Sequence, residues 1–389
     1  MKPYTYVSLF SSAGVGCFGF KEEKYDCVLT NELVERRMEV QKCNAKCSDP
    51  RGYLCGDITD PEIQKYALNY INEYKQNKKL KDIDVVVATP PCQGMSVANH
   101  KKAKDEIIRN SLVLEAIHLI SLIKPKVFIF ENVSAFMNTK CGKEGQERKI
   151  SEAIHEELDD LYKFESKIIN FKDYGAHSSR SRCLVLGVRK DVHLNIDDLW
   201  PSKENSKTMR DLIYSLPRLK IMGESYKSDI YHNFKSYKSH MRDWIKDLKP
   251  GENAFDNLDP LKRPHQIKDG ILIPNVNKNG DKYSRQIWDK TPPCIHTRND
   301  ILASQNTVHP EDDRVFSLRE LMIFMNIPEN FKWTNHTLPE LNDLNEIEKQ
   351  AYLKKHEVNI RQSLGEAVPT IIFSKIAKNI KEGLEHAKK

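Results

Sequence analysis

The sequence has no apolar run long enough to cross a membrane, which would need about 18 or more consecutive apolar residues. Of its 389 residues, 39% are hydrophobic and 30% are charged, the balance of a soluble globular protein. The first residues, MKPYTYVSLF, also lack the pattern of a signal peptide. These absences predict a cytoplasmic protein, without a membrane partner, that folds as one large domain or two linked domains.

Three further absences exclude classes of site. The nine cysteines lack the even number and regular spacing of a disulfide framework, so we expect reduced thiols. Cys43, Cys47 and Cys55 come closest to a metal cluster, but no fourth ligand follows at zinc-finger spacing, and no metal site is expected. No GK[ST] is present in the glycine-rich stretch at residues 8–20, which excludes a phosphate-binding P-loop there.

Short β-branched runs alternate with helical patterns over the first half of the chain, which is typical of a parallel sheet with crossover helices. This pattern predicts an α/β fold with a doubly wound sheet, whose ligands bind at the carboxyl ends of the strands. Strands are predicted at residues 4–10, 25–31, 84–88, 126–132, 163–170 and 182–188, and helices near 33–44, 61–77, 110–123 and 148–161.

The alternation stops near Asp191, and the chain to about His309 is rich in Lys, Asn, Asp and Pro, which predicts a second, smaller domain or a long insertion. The net charge of +6 is modest, but residues 227–249 alternate cations with aromatic rings. That composition suits phosphates and bases, and a solvated amphipathic helix is the other interpretation. Helical patterns return at 316–325 and from Gly365, and residues 338–350 are expected to form a solvated helix or connector.

Chemistry-bearing residues follow the predicted strands. Small residues and glycines in SLFSSAGVGCFGF (8–20), among them Gly14, Gly16 and Gly19, would let a ligand approach the backbone, although a tight turn without a ligand has the same pattern. Glu32 and Asp57 end the next two elements, where carboxylates can accept hydrogen bonds from ribose hydroxyls and an adenine amino group. Together these positions predict a cofactor that contains a nucleoside.

The strand at 84–88 runs into TPPCQGMS, which places Cys92 at the ligand edge of the sheet after two stiff prolines. A lone cysteine is more often a buried apolar residue. The next strand ends in Glu131, and HSSRSRC places Arg180 and Arg182 two residues apart on one face of an extended chain. A helix cap for Glu131 and a surface ion pair for the arginines are the other interpretations.

The set SLFSSAGVG, NE, GD, TPPCQGMS, ENV, RSR, HPEDDRVFSLRELMIFMNIPENF and QSLGEAVPT, in this order, resembles the DNA cytosine-5 methyltransferases of bacterial restriction–modification systems. The match covers roughly residues 1–190 and 307–380. It implies an S-adenosylmethionine-dependent, Rossmann-like methyltransferase fold with a smaller inserted target recognition domain. The implied domains are a catalytic domain at 1–190, completed by 360–389 with a helix from Gly365 that returns to the first motif, a recognition domain at 191–335, and a linker or helix at 336–359.

The resemblance implies that Cys92 attacks carbon 6 of cytosine and that Glu131 holds or protonates ring nitrogen 3. Arg182 corresponds to the family's arginine near the carbonyl oxygen of the base, and Arg180 to its neighbour in the motif. Gln93 and Ser96 are implied to contact DNA. The lysine-rich segment 95–111 is expected to be a loop that closes over the DNA, and the target base must be flipped out of the duplex to reach Cys92.

The same resemblance implies contacts to S-adenosylmethionine from six parts of the chain, with Glu32 at the ribose and Asp57 and Ile58 at the adenine. The implied residues are Phe10, Ser12, Ala13, Gly14, Val15, Glu32, Asp57, Ile58, Pro91, Leu112, Ala367 and Val368. Three positions depart from the family pattern: Ser12 stands in place of a glycine, Ser178 of a glutamine and Glu366 of an asparagine.

The expected partner is double-stranded DNA, with a cognate restriction endonuclease as a functional partner, and a monomer suffices for an enzyme that modifies one strand at a time. Residues 296–310 are expected to face the DNA or to bridge the domains. A tRNA cytosine-5 methyltransferase and a non-catalytic DNA-binding protein of the same fold are alternatives. A nicotinamide oxidoreductase would explain Glu32 and the glycines, but it leaves the segment around Cys92 unexplained.

Overall fold

The computed structural model describes residues 3–91, 110–142, 145–276 and 280–387. The chain divides into two compact units. The first, the sheet unit, comprises Met1–Tyr174, Ser181–Glu204 and Thr370–Lys389; the second, the inserted unit, comprises Gly175–Arg180 and Asn205–Pro369. The division thus falls after Glu204 rather than at Asp191, and residues 336–359 belong to the inserted unit.

All six strands predicted from β-branched runs in the first half of the chain are present, each with bounds within one residue of the prediction. In chain order the strands are β1 (Thr5–Leu9), β2 (Asp26–Glu32), β3 (Tyr53–Cys55), β4 (Val85–Ala88), β5 (Val127–Asn132), β6 (Lys140–Cys141), β7 (Arg148–Lys149), β8 (Tyr162–Asn170), β9 (Ser181–Arg189), β10 (Ser225–Tyr226), β11 (Asp229–Asn233), β12 (His265–Lys268) and β13 (Ile271–Pro274).

The α-helices include all four that were predicted in the first half of the chain. In chain order they are α1 (Phe18–Glu22), α2 (Glu35–Cys43), α3 (Pro61–Lys78), α4 (Leu112–Ile123), α5 (Ile150–Leu158), α6 (Met209–Ile213), α7 (His240–Ile245), α8 (Leu318–Phe324), α9 (Leu338–Asn342), α10 (Glu346–Glu366) and α11 (Thr370–His386). No helix in the described ranges combines the length and apolar character that crossing a bilayer would require.

Seven strands form the central sheet of the sheet unit, in the order β3-β2-β1-β4-β5-β9-β8. Pairs from β3 through β5 are parallel, which confirms the predicted α/β doubly wound architecture. The order reverses between β1 and β4, so this is the point where an open sheet of this kind binds its ligand. The carboxyl ends of β1 to β5 therefore lie at the same edge of the sheet.

The expectation of a parallel arrangement is wrong for the last two strands. β9 pairs antiparallel with both β5 and β8. Only residues 171–180 separate β8 from β9, fewer than the dozen or so that a parallel crossover needs. The consequence is that Glu131 in β5 and Arg182 in β9 lie on adjacent strands, near the same edge.

The central strands β1, β4 and β5 of the sheet unit are buried along their whole length and mostly apolar, because helices cover them. Val7, Val86 and Phe128 are each 0% exposed, and they belong to one core that includes the apolar faces of α3, α4 and α5. Gly187 in β9 leaves room for Phe128, whose ring carbon lies 2.0 Å from the position that a Cβ would take. The core fixes the strand ends, and with them the site.

The C-terminal helix begins later than predicted. Gly365 lies within α10, which ends at Glu366, and α11 starts at Thr370. Pro369 disfavours helical backbone at the residue before it, and Ala367 is already extended, with φ −72° and ψ 154°. Residues 338–350, expected as a helix or connector, contribute α9 and the first turn of α10.

Candidate active site in the sheet unit

The turn after β1 has left-handed backbone at three positions. Phe10, Ser12 and Gly14 have φ angles of 56°, 46° and 78°. A left-handed conformation costs a residue other than glycine about 1–2 kcal/mol, so contacts elsewhere must hold the turn. Ala13 and Val15 anchor it through side chains that are only 1% and 2% exposed. The predicted cofactor residues of this stretch thus form one tight turn between β1 and α1.

Gly19 does not have the function expected of the glycine-rich stretch. A Cβ at Gly19 would lie 2.4 Å from the backbone nitrogen of Ser374 and 2.6 Å from the carbonyl oxygen of Thr370. Glycine is therefore required for close packing of α1 against α11, and the expectation that Gly19 admits a ligand is wrong. The expectation that the C-terminal helix returns to the first motif is confirmed, because Thr370 Oγ1 also donates to the carbonyl oxygen of Val15 at 3.3 Å.

Glu32, the last residue of β2, has a carboxylate whose orientation is fixed by donors. Its Oε2 accepts from the backbone N–H of Ser12 at 2.8 Å. Its Oε1 accepts from the backbone N–H of Val34 at 3.0 Å and from Arg37 Nη1 at 3.4 Å. Arg37 was missed by the sequence reasoning, and no signal in a single sequence would have identified it. The carboxylate is consequently fixed beside the left-handed turn, where a ribose would need an acceptor.

The end of β3 supplies a second carboxylate at the same edge. Asp57 is exposed, and its Oδ1 accepts from the backbone N–H and the hydroxyl of Thr59, both at 2.9 Å. Asn31 links β2 to this segment by donating to the carbonyl oxygens of Leu54 and Gly56 at 3.1 and 3.0 Å. Asn31 therefore fixes the spacing between the ends of β2 and β3.

Leu33 is an apolar residue at this edge that the sequence reasoning missed. It follows Glu32 directly and is 63% exposed, so its side chain is accessible to a ligand at this edge. The sequence did contain a signal for Leu33, because an apolar residue stands there between Glu32 and the start of α2. Two oriented carboxylates beside an exposed apolar side chain and a buried Ile58 fit the polar and apolar faces of an adenosyl group.

The segment that leads to Cys92 is held from two strands. Thr89 Oγ1 donates to the carbonyl oxygen of Phe10 at 2.9 Å, and Asn132 Nδ2 donates to that of Pro90 at 2.9 Å. Pro91 and Leu112, predicted to line the cofactor, are both half-buried. Cys92, Gln93, Ser96 and the rest of the predicted DNA-closing segment up to residue 109 lie outside the described residues.

Glu131 and Arg182 form an ion pair on adjacent strands. Arg182 Nε lies 3.2 Å from Glu131 Oε1, and the two side chains are only 17% and 8% exposed. Burial, and then the charge of Glu131, raise the pKa of the neighbouring Cys183 thiol to about 11, so this cysteine is an inert neighbour and not a second nucleophile. A buried carboxylate beside a guanidinium presents an acceptor and a donor side by side, as the polar edge of a pyrimidine requires.

A family model described as C-5 cytosine-specific DNA methylase matches residues 4–382. The chain belongs to this family. Type II methyltransferase M1.HgaI of Avibacterium volantium is 26% identical over 96% of this chain and 97% of its own length. Type II methyltransferase M1.HphI of Haemophilus parahaemolyticus is 25% identical over 97% of this chain and 86% of its own length.

Solved structures agree with the fold. A structure described as a DNA modification methyltransferase encoded within an E. coli prophage has a TM-score of 0.65 at 17% identity, covering 98% of this chain and 99% of that one. The S. pombe Dnmt2 methyltransferase has a TM-score of 0.59 at 15% identity, with coverage of 98% and 99%. At such identities the likeness shows the fold alone. The predicted family and enzyme class are confirmed, and a tRNA methyltransferase is not favoured.

Three predicted site residues of this methylase-family chain belong to the inserted unit. Arg180 is 4% exposed and donates to the carbonyl oxygens of Ile295 at 3.2 Å and Gly365 at 3.1 Å. These contacts support backbone, and a catalytic role for Arg180 stays a prediction. Ala367 and Val368 are 7% and 5% exposed, in the extended segment between α10 and α11.

The two segments expected to face DNA are only partly exposed. In residues 227–249, Phe234 and Trp244 are 1% and 2% exposed, so the expectation that these rings stack on bases is wrong. Lys238 on the same segment is exposed, where its charge can meet a phosphate, whereas the exposed Lys246 forms an ion pair with Asp243 at 2.9 Å. In residues 296–310 the exposed part is 296–298 with Ile301, and 307–310 is buried.

Proposed function

We propose that this methylase-family protein transfers a methyl group to carbon 5 of a cytosine within a short specific duplex sequence, as the modification enzyme of a restriction–modification system. The observation that carries the proposal is the convergence of three groups at the switch point of one sheet. These are the fixed carboxylate of Glu32, the Glu131–Arg182 ion pair, and Pro90, which leads to Cys92.

Covalent activation is required because carbon 5 of cytosine is a poor nucleophile. The thiolate of Cys92 adds to carbon 6, and the electrons displaced onto the ring are taken up at nitrogen 3, which receives a proton from Glu131 in its acid form. Arg182 donates to the carbonyl oxygen of the base. Carbon 5 then takes the methyl group as the bond between that group and the donor sulfur breaks, which leaves S-adenosylhomocysteine. A base removes the proton from carbon 5, nitrogen 3 returns its proton to Glu131, and the carbon–sulfur bond to Cys92 breaks to release the thiolate and restore the aromatic ring.

The proposed cofactor is S-adenosylmethionine, which when bound supplies an electrophilic methyl group. Glu32 would accept hydrogen bonds from the ribose, and Asp57, Ile58 and Leu33 would hold the adenine. The turn at Phe10, Ser12, Ala13, Gly14 and Val15 would hold the methionine part, with Pro91, Leu112, Ala367 and Val368 as further lining residues.

A cytosine inside a duplex is out of reach of Cys92, so the base is flipped into the pocket at a cost of a few kcal/mol. Gln93 and Ser96 contact the DNA. Arg180 supports the chain two residues before Arg182 through its bonds to backbone carbonyls. The inserted unit is proposed as the target recognition domain, and the protein as a cytoplasmic monomer whose functional partner is a cognate restriction endonuclease.

The experiment is bisulfite sequencing of DNA from otherwise unmethylated cells that express the protein, with every cytosine scored for protection. Protection confined to one short sequence is the expected result. Complete conversion of all cytosines, with the protein soluble and folded, would reject a DNA substrate; the same scoring applied to cellular RNA then tests the tRNA alternative.

A second experiment tests the assignment of Glu131. Replacing it in Glu131→Gln should lower the rate of methyl transfer by 100-fold or more, at about the scale of a lost acid–base group. The affinity for S-adenosylhomocysteine should stay within about threefold of the unchanged protein. A loss confined to cofactor affinity would move Glu131 from the chemistry to the binding site.

A further inference from the structure

The left-handed turn after β1 rests on a network of buried polar side chains. Ser8, Ser11, Thr30 and Gln41 are each no more than 8% exposed. Ser11 Oγ lies 2.6 Å from Ser8 Oγ and 2.7 Å from Thr30 Oγ1, and Thr30 Oγ1 donates to Gln41 Oε1 at 2.7 Å. Fully satisfied networks of this kind define a unique geometry. The network therefore connects the turn with β1, β2 and α2.

Lys46 determines which way the amide of Gln41 points. Its ammonium donates to Gln41 Oε1 at 3.0 Å, to Thr30 Oγ1 at 2.8 Å and to Ser8 Oγ at 3.2 Å. Because an ammonium carries donors only, it selects the oxygen of the amide and excludes the nitrogen. Gln41 Nε2 consequently faces the turn, where it donates to the carbonyl oxygen of Ser12 at 2.7 Å.

Ser12 is thus held on both sides of its Cα. Its carbonyl oxygen accepts from Gln41, and its N–H donates to Glu32. Phe10, the other left-handed residue of the turn that is not glycine, is anchored in the same way, because its carbonyl oxygen accepts from Thr89 Oγ1. Each strained residue therefore has a side-chain donor on its carbonyl oxygen, as expected where the surrounding structure has to offset local strain.

We propose that Gln41 and Lys46 are positioning residues for the cofactor: they hold Ser12 in the left-handed conformation that orients the carboxylate of Glu32. This inference rests on the proposed binding of S-adenosylmethionine. Gln41 also packs beneath the turn, since its Cγ lies 3.0 Å from the position of a Cβ on Gly14. Without the Gln41 donor, the strain at Ser12 favours other conformations of the turn, and the fraction of molecules ready to bind falls.

The test is a double-substitution cycle on the full chain, read by calorimetric titration with S-adenosylhomocysteine. Gln41→Met keeps the length of the side chain but removes the donor, and it should raise the Kd about tenfold, the scale of one lost hydrogen bond. Glycine adopts left-handed backbone without strain. In the Ser12→Gly background, Gln41→Met should therefore change the Kd by less than about threefold.

Kinetics give an independent readout. For Gln41→Met, the KM for S-adenosylmethionine should rise in parallel with the Kd, while kcat at saturation stays within about twofold. Lys46→Met, which keeps the apolar stem, should reproduce the effect more weakly and should be suppressed by the same Ser12→Gly change. If Gln41→Met does not fold, Lys46→Met alone carries the test.

An unchanged Kd in both variants would overturn the inference, and so would a weakened Kd that Ser12→Gly does not suppress. Failure of the proposed function has a different signature: the unchanged protein would then not bind S-adenosylhomocysteine at all. If the unchanged protein binds and the variants bind equally well, the positioning role alone is rejected.

Discussion

The sheet unit and the inserted unit satisfy their backbone hydrogen bonds in different ways. In the sheet unit, parallel strands and long helices pair the backbone with itself, and the core is apolar. Apart from α10, the inserted unit has short elements joined by long loops, and buried charged side chains form hydrogen bonds with the loops. Arg285, 3% exposed, donates to the carbonyl oxygens of Ile245, His309 and Asp312 at 2.7, 3.1 and 3.2 Å.

Ionic groups are correspondingly concentrated in the core of the inserted unit. Arg314 and Glu320 are both 1% exposed and form a two-bond ion pair at 2.8 and 2.7 Å. Arg314 Nε also donates to Asp312 at 3.0 Å. Regular backbone forms hydrogen bonds with itself, so side chains at the strand ends remain available for catalysis and binding. Irregular backbone instead needs polar side chains as its hydrogen-bond partners.

The largest expected effect is on catalysis by the sheet unit, with no change in the stability of that unit. Cys92→Ala should lower methylation by at least about 10⁴-fold, the scale seen when a covalent nucleophile is removed. Affinity for S-adenosylhomocysteine should be retained, and the covalent adduct with DNA that contains 5-fluorocytosine should disappear. Cys43→Ala, at the end of α2, is the control and should remain active. Full activity of Cys92→Ala would reject the nucleophile.

The next effect tests the ionic core of the inserted unit. Arg314→Leu removes one partner from a buried pair, leaves Glu320 uncompensated, and should cost about 3–5 kcal/mol of unfolding free energy in urea. The matched control is Arg298→Leu, whose ion pair with Asp300 is 67% exposed on the arginine side. A surface pair of that kind contributes at most about 1 kcal/mol. Equal losses in the two variants would contradict the proposed difference between buried and exposed charges.

The same contrast explains which parts of the site were predictable. Glu32 and Glu131 could be placed because each ends a β-branched run, and the ends of parallel strands meet at one edge. The position of Arg182 beside Glu131 was not predicted, because it depends on β9 pairing antiparallel with β5. The alternation of strands and helices predicts which strand end carries a residue. It does not predict which side chain that residue contacts.

Side-chain partners were the least predictable feature. Gln41 gives no sign in the sequence of its bond to Ser12, since the contact depends on the angle between α2 and the turn. In the inserted unit, the alternation of cations and aromatic residues suggested that Phe234 and Trp244 are exposed and contact bases, yet both rings are buried. In irregular segments the apolar residues do not recur at a regular spacing, so the sequence does not show which side chains are buried.

A smaller effect on kcat is expected at Asn132, a side chain of the sheet unit that forms a hydrogen bond with the irregular backbone at Pro90. Asn132→Ala removes the donor to the carbonyl oxygen of Pro90, two residues before Cys92, and should lower kcat about tenfold, the scale of one buried hydrogen bond. Binding of S-adenosylhomocysteine should change little. Asn77→Ala on the exposed face of α3 is the control. An unchanged kcat would mean that Pro90 is held without Asn132.

The smallest effect concerns a histidine in the inserted unit and depends on pH. Burial lowers the pKa of His309 to about 3. Its Nδ1 accepts from the backbone N–H groups of Glu311 and Asp312 at 3.2 and 2.9 Å, which only an unprotonated nitrogen can do. The folded protein therefore excludes a proton that the unfolded chain takes up below its pKa of about 6.5, so stability falls with falling pH.

The expected loss is about 0.8 kcal/mol of unfolding free energy between pH 7.5 and pH 6, because folded His309 stays neutral throughout this window. In His309→Asn, whose amide oxygen can still accept from the backbone, this part of the pH dependence should vanish. His155 in the sheet unit is exposed, and its loss in His155→Asn should leave the slope unchanged. If the pH dependence were instead lost in His155→Asn and kept in His309→Asn, the pH-sensitive group would lie in the sheet unit and not in the inserted unit.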